Sequence, residues 1–176
     1  MEESKKELTM TRVFDAPREL VYKAWLDPEM VKQWWGPQGV FIPTCELDTK
    51  PGGRMYIVME AGEELGKFKG PQWPMEGEYV ELDEPKRIVF KANAINEGKV
   101  VLEHTTTVTF EDLPAGKAGE NGPPSHKASE RQRKTKMTAH VVVTKVLPGS
   151  EFAIAGMEQG WHSQFDKLVE FISKQR

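Results

Sequence analysis

The sequence predicts an α+β fold: a curved antiparallel sheet of about six to seven strands wrapped round one long C-terminal helix, with two short helices after the first strand. Three observations carry this. From about Ser150 to Gln175, apolar residues fall at Met157, Trp161, Phe165, Leu168 and Ile172, spacings of 4, 4, 3 and 4 that draw one stripe down a helix. A helix of about 25 residues spans roughly 37 Å, enough to cross a small domain, and it must lay its stripe on something. The stretch before it alternates with period two between short turns, the pattern of an antiparallel meander. Only the last helix is long enough to cover the apolar face of that meander.

Leu8 to Phe14 alternates Leu8, Met10 and Phe14 with Thr9 and Thr11 and is the first strand. Asp15-Ala16-Pro17 stops it and opens a helix, with Asp15 as cap and Pro17 in the first turn. Leu20, Val21, Ala24 and Trp25 form the buried side of that helix. Asp27-Pro28 repeats the signal for a short second helix, with Met30, Val31, Trp34 and Trp35 on one side and Gly36-Pro37 at its end.

The period then changes. Thr44 to Thr49 sets Cys45 and Leu47 against Glu46 and Asp48. Lys50-Pro51-Gly52-Gly53 fits a type II turn, with proline presetting the first central position and glycine accepting positive φ at the second. Arg54 to Glu60 completes a hairpin, with Met55, Ile57 and Met59 on its apolar face. Trp73 to Leu82, the turn Asp83-Glu84-Pro85, and Arg87 to Asn93 follow, with Ile88, Phe90 and Ala92 inward in the last. Lys99 to Asp112 is long and extended and is expected to pair with Lys136 to Val146.

Residues 113–135 are rich in glycine, proline, serine and lysine and hold almost nothing apolar, so they read as a flexible hairpin loop. Their basic end, Arg131, Arg133 and Lys134 with the following Lys136, reads as a solvated run. The alternative is a phosphate- or partner-binding arm.

The 176 residues suit a single domain with a sizeable core. A net charge of −3 gives no basic balance for nucleic acid. There is no apolar run long enough for a membrane span, and the charged MEESKKELTM start has no signal-peptide core, so a cytoplasmic protein is expected. One cysteine, Cys45, excludes an internal disulfide and a multi-cysteine zinc site. The histidines, His104, His126, His140 and His162, fall in no metal-ligand spacing, and no phosphate-cradling glycine loop or nucleophile elbow occurs. Neither metal nor cofactor is expected. Cys45 reads as a small buried thiol.

A curved sheet round one helix rarely fills completely, and the two short helices plug one end. The space left is a cavity between sheet and long helix. The aromatic and sulfur-rich set Trp34, Trp35, Met55, Met59, Trp73, Met75, Phe90, Met157, Trp161 and Phe165 lies on the elements that converge there. Singly each is core; as a set they are what an apolar pocket uses. Tyr79 shares the parity of Trp73 and Met75, and His104 with Thr106 shares that of Val100, Leu102, Val108 and Phe110. These polar groups either bond within the core or orient the polar end of a ligand. His162 borders the helix stripe. Glu46, Asp48, Glu76 and Glu78 fall on the opposite parity and read as solvent face, which opposes paired acid/base catalysis. Gly156 and Gly160 cut a side-chain-free notch into the helix, for close packing or for a ligand.

Three groups of residues carry a family resemblance: Arg12 to Trp25 (RVFDAPRELVYKAW); Asp27-Pro28 with Trp34-Trp35-Gly36-Pro37; and Pro51-Gly52-Gly53-Arg54, Gly77-Glu78-Tyr79 and Gly160-Trp161. Together they resemble the homologues of the heat-shock-protein-90 ATPase activator, within the START-like, helix-grip superfamily. The resemblance spans nearly the whole chain outside 113–135. It implies the helix-grip fold, but no single activity, because that superfamily includes lipid carriers, hormone receptors, cyclases and co-chaperones. The eukaryotic activators carry an additional N-terminal domain for much of the chaperone contact, whereas this sequence starts at the first strand of the module. Three functions follow as expectations, in this order. The first is a monomeric or homodimeric binding module for a small apolar or aromatic ligand. The second is a cyclase- or dehydratase-type enzyme using Tyr79 or His104. The third is a partner of a chaperone that stimulates its ATPase.

Overall fold

The structure is a computed structural model that describes residues 6–63, 72–96, 98–113, 133–149 and 152–175, with the side chains at 152, 153, 155 and 156 left aside. In chain order it holds β1 (Glu7–Phe14), α1 (Arg18–Leu26), α2 (Pro28–Trp34), β2 (Val40–Leu47), β3 (Arg54–Ala61), β4 (Gln72–Asp83), β5 (Arg87–Asn96), β6 (Lys99–Leu113), β7 (Lys134–Val146) and the long C-terminal helix, here α3 (Phe152–Ser173). The strands form one sheet in the order β1-β7-β6-β5-β4-β3-β2, every pair antiparallel. β1 and β2 are the two edges, so α1 and α2 carry the chain from one margin of the sheet to the other.

Local chemistry explains most boundaries. Asp27 caps α2 through Oδ1, which accepts the Glu29 N–H at 2.9 Å, and Pro28 takes the first helical position. At Lys50-Pro51-Gly52-Gly53 the Gly53 N–H reaches the Lys50 carbonyl at 2.8 Å with Gly52 at φ 83°, the expected type II turn. α1 departs from expectation in its first residue: Pro17 itself holds the cap position, and the helix runs from Arg18. β2 begins at Val40, four residues before the alternation at Thr44 becomes readable, because Pro43 and a register shift between Phe41 and Thr44 break the period. Proline is tolerated there because β2 is an edge and owes no inner neighbour an N–H. β7 begins at Lys134, inside the stretch read as loop: Leu113 pairs with Lys134, and Thr135 is fully buried with its hydroxyl donating to the Ala16 carbonyl at 2.7 Å. Arg133 bonds Glu19 and Asp112 at 3.1 and 3.2 Å, so this part of the basic run is tied to the body. The rest of the expected loop lies outside the described residues.

The core lies between the inner face of the sheet and the three helices. Trp161, Phe165, Leu168 and Ile172 are buried along α3, with Met157 half-buried at its start. Trp25 and Trp34 pack edge to face at 4.8 Å, and the Trp34 indole donates to the Ala24 carbonyl at 3.0 Å. Further register shifts fall between Tyr79 and Glu81, Ala94 and Ile95, and Glu103 and His104. Such bulges bend a strand and raise its twist. The last two lie close together, with Val101 the extra residue on β6 and Thr144 the extra residue on β7. The first of these corrects the expected parity of β6, because Ala94 pairs with Leu102 and Ile95 with Val100, which leaves Val101 unpaired. Val101 turns inward at 8% exposure, while Val100, expected inside, is 39% exposed.

Candidate functional site

A cavity of about 500 Å³ lies between β3–β6 and the first half of α3. Its sheet wall is Met59, Trp73, Pro74, Met75, Ala94, Ile95, Asn96, Val101, Leu102 and His104; its helix wall is Met157, Gly160, Trp161 and Gln164; Trp35, Pro37 and Val40 close one end. Seven of the residues expected from the sequence meet here: Trp35, Met59, Trp73, Met75, His104, Met157 and Trp161. The other five, Trp34, Met55, Tyr79, Phe90 and Phe165, lie in the packed interior away from the cavity wall, each at most 3% exposed. Phe90 and Phe165 back the cavity from behind, with their rings 6.2 Å from His104 and 5.4 Å from Trp161.

The helix wall is open for a local reason. A Cβ at Gly160 would meet no atom within 4 Å among the described residues, so no described backbone packs against this face of the helix. Gly156 lies among the residues whose side-chain surroundings are not described. Opposite, Trp161 stands edge-on to Trp35 and to His104, each at 6.1 Å.

The end wall is held by the helix. Gln164 Oε1 accepts the Gly36 N–H at 2.8 Å, Ser163 Oγ accepts the Gln38 N–H at 3.0 Å, and Lys167 Nζ donates to the Trp35 and Gly36 carbonyls at 3.3 and 3.2 Å. Gly36 has φ 82°, a left-handed conformation that side chains disfavour, and it turns the chain out of α2 toward these groups. Gln164 is the site residue that the apolar pattern passes over. It stands three residues after Trp161 and four before Leu168, so helical geometry alone puts it on the buried stripe.

Two of the polar groups on the wall are deeply buried. Gln164 Nε2 is buried and makes no hydrogen bond among the described residues. His104 is 6% exposed; its Nδ1 lies 2.9 Å from Thr106 Oγ1, and burial pushes the imidazole down to about 4, so the ring is neutral at pH 7. No Asp, Glu, Lys or Arg lines the cavity among the described residues. The Tyr79 hydroxyl is elsewhere: it is buried without a partner among the described residues, and burial, then Cys45 and Tyr22 nearby, hold its pKa far above the usual phenol value. The cavity therefore does not bring Tyr79 and His104 together as an acid/base pair. Cys45 is a buried residue of β2, off the cavity wall, with its thiol pushed up to about 11, chiefly by burial. His162 is off the cavity wall, where its Nδ1 accepts from the Arg12 guanidinium at 3.0 Å. Glu46, Asp48, Glu76 and Glu78 are exposed, and Glu76 pairs with Arg54 at 3.1 Å on the outer face of the sheet. Among the described residues no cluster of three potential metal ligands occurs, and no helix is long and apolar enough to cross a membrane.

An antiparallel sheet closed over a C-terminal helix, with a cavity between them, defines a START-like helix-grip protein. Residues 15–118 match the family described as activator of Hsp90 ATPase homolog 1-like protein, and the chain belongs to that family. Solved structures of the same fold include a protein of Nitrosomonas europaea (21% identity, TM-score 0.67, covering 97% of this chain and 96% of that one). An Arthrobacter aurescens protein has TM-score 0.70 at 20% identity, over 96% of this chain and 86% of that one. The AHSA1 protein of Silicibacter pomeroyi has TM-score 0.68 at 20% identity, over 97% and 100%. At these identities the likeness is one of fold. No curated protein is significantly similar in sequence.

Proposed function

We propose that this protein binds a small, mostly apolar or aromatic molecule between its sheet and α3. The observation that carries the reading is the open space at Gly160, which faces an apolar cavity of about 500 Å³. That volume lies in the range of small-molecule sites, roughly 300–1,000 Å³. Glycine in a helix interior gives up about 1 kcal/mol relative to alanine, a loss that no packing among the described residues offsets.

Native mass spectrometry of freshly purified protein, looking for a retained small molecule, is the first test. The second is titration with the uncharged dye N-phenyl-1-naphthylamine. The wild type should brighten the dye, while Gly160→Leu, which fills the notch, and Trp161→Ala, which removes one wall, should not do so to the same extent. A protein that retains no molecule and takes up no dye does not have this function.

Family membership favours a second reading, stimulation of a heat-shock protein ATPase. Its test is the ATPase rate of the host's own chaperone with and without this chain; an unchanged rate removes it. Turnover of a cavity ligand would be a third role. It would rest on His104 alone, since Tyr79 is off the wall, and turnover that survives His104→Ala would discard it.

A further inference from the structure

We propose that His104 is the specificity-determining residue of the cavity: its Nε2–H is a donor turned toward the ligand, and the ligand it selects is a small ring-bearing molecule that offers an acceptor oxygen. The inference rests on the small-molecule reading above and names the chemistry of the ligand.

The two ring nitrogens of His104 have different surroundings. The ring stands edge-on to Phe90 of β5 and to Trp161 of α3, with centroids 6.2 and 6.1 Å away, and the residue lines the cavity between them. Nδ1 lies 2.9 Å from Thr106 Oγ1. Nε2 has no partner among the described residues, yet it is not sealed off as the Tyr79 hydroxyl and Gln164 Nε2 are. It keeps free surface where the ring faces α3, so an oxygen inside the cavity can reach it.

Thr106 decides which nitrogen holds the proton. It is fully buried, and its hydroxyl makes no other bond among the described residues. A hydroxyl has one hydrogen to give, and the acceptor it meets here is Nδ1. Burial keeps the ring neutral at pH 7, so with Nδ1 accepting, the single ring proton sits on Nε2. The other tautomer would leave the hydroxyl hydrogen in the core without an acceptor, which is costly. The wall thus offers the ligand a donor whose direction is set from behind by Thr106. A ligand without an acceptor would displace water from Nε2–H and return nothing to it, and such an orphaned donor is what lets a site reject the wrong molecule. Trp35, Trp73 and Trp161 around the same space suit a flat frame.

The test uses three bicyclic molecules of nearly one size: 1-indanone, which offers an acceptor; indole, which offers only an N–H donor; and indane, which offers neither. Each is titrated calorimetrically at pH 7 into the full chain and into two variants. His104→Gln sets an amide nitrogen near the place of Nε2; His104→Asn sets one near Nδ1 and leaves the place of Nε2 empty. The wild type should bind the ketone roughly tenfold more tightly than indane, and more tightly than indole. The preference should survive in His104→Gln and shrink to within about twofold in His104→Asn, a split that a merely structural histidine would not give. Equal binding of ketone and indane by the wild type overturns the proposal. So does a preference for indole, which would make Nε2 the acceptor, or a ketone preference that survives in His104→Asn or is lost alike in both variants. The wild-type ratios decide even where a variant does not fold. Binding of all three without preference sinks the selectivity and leaves the small-molecule reading standing. Binding of none sinks the selectivity, and joined to no dye uptake it sinks that reading as well.

Discussion

Gln164 on α3 and Gly36 after α2 are 128 residues apart in sequence and are joined by a 2.8 Å hydrogen bond from the glycine N–H to the glutamine oxygen. The bond lies at the cavity's end wall and couples the helix to the segment bearing Trp35, Pro37 and Val40. Gln164→Met orphans the Gly36 N–H and should lower stability by about 1–3 kcal/mol, read as a shift in urea midpoint at unchanged m-value. Gln164→Glu keeps an oxygen for that N–H and, with the carboxyl protonated, should recover part of the loss at low pH.

Gly160 gives the opposite sign. Its missing Cβ faces open space, so Gly160→Ala removes the helix penalty of glycine and should stabilise the protein by up to about 1 kcal/mol, measured by thermal or urea unfolding.

Gly53 contrasts with it. A Cβ there would run into the Asp48 carbonyl, a backbone atom that cannot swing aside, and the turn it closes also bonds Tyr79 of β4 through the Gly53 carbonyl at 3.0 Å. Gly53→Ala should cost more than about 2 kcal/mol in the same assay.

His104 makes stability depend on pH. Its folded pKa, about 4, lies below the ordinary value of 6.5 because burial disfavours the imidazolium. Between those values the unfolded chain binds the proton and the folded chain does not. The contribution is therefore fully present above about pH 6.5 and is lost as pH falls toward 4, by about 3 kcal/mol at most. Urea midpoints at pH 7 and pH 5 should differ more in wild type than in His104→Gln.

Cys45 should be silent in the native state. The thiol is buried and raised to about 11 by that burial, so little thiolate exists at neutral pH and none is exposed. A thiol reagent such as dithionitrobenzoate should label it only as fast as the protein unfolds; rapid stoichiometric labelling without denaturant would contradict its placement.

The architecture could be read from periodicity because two periods do different work here. The 4-4-3-4 spacing of Met157 to Ile172 fixes α3 and its buried face, and the two-residue alternation fixes the strands around it. What periodicity could not carry is where the alternation breaks. Val101 turns inward because it is the extra residue of a bulge, and bulges are set by the partner strand, which a local pattern does not see. The same limit decides the site. Trp35 and Trp34 are neighbours with identical chemistry, yet one lines the cavity and the other is sealed under Ala24. Tyr79 and His104 share an inward parity, but of the two only His104 lines the cavity. Gln164 was passed over for another reason: a search for apolar stripes discards the polar residue that sits on one.

One of the two edge strands, β2, carries Pro43 next to a break in register with β3. Proline has no N–H to offer, and the break interrupts the regular row of donors and acceptors that an incoming chain would copy. On that margin the molecule is a poor template for fibril growth. Replacing Pro43 with a β-branched residue would restore the row and should shorten the lag before thioflavin-positive aggregates form in concentrated solution.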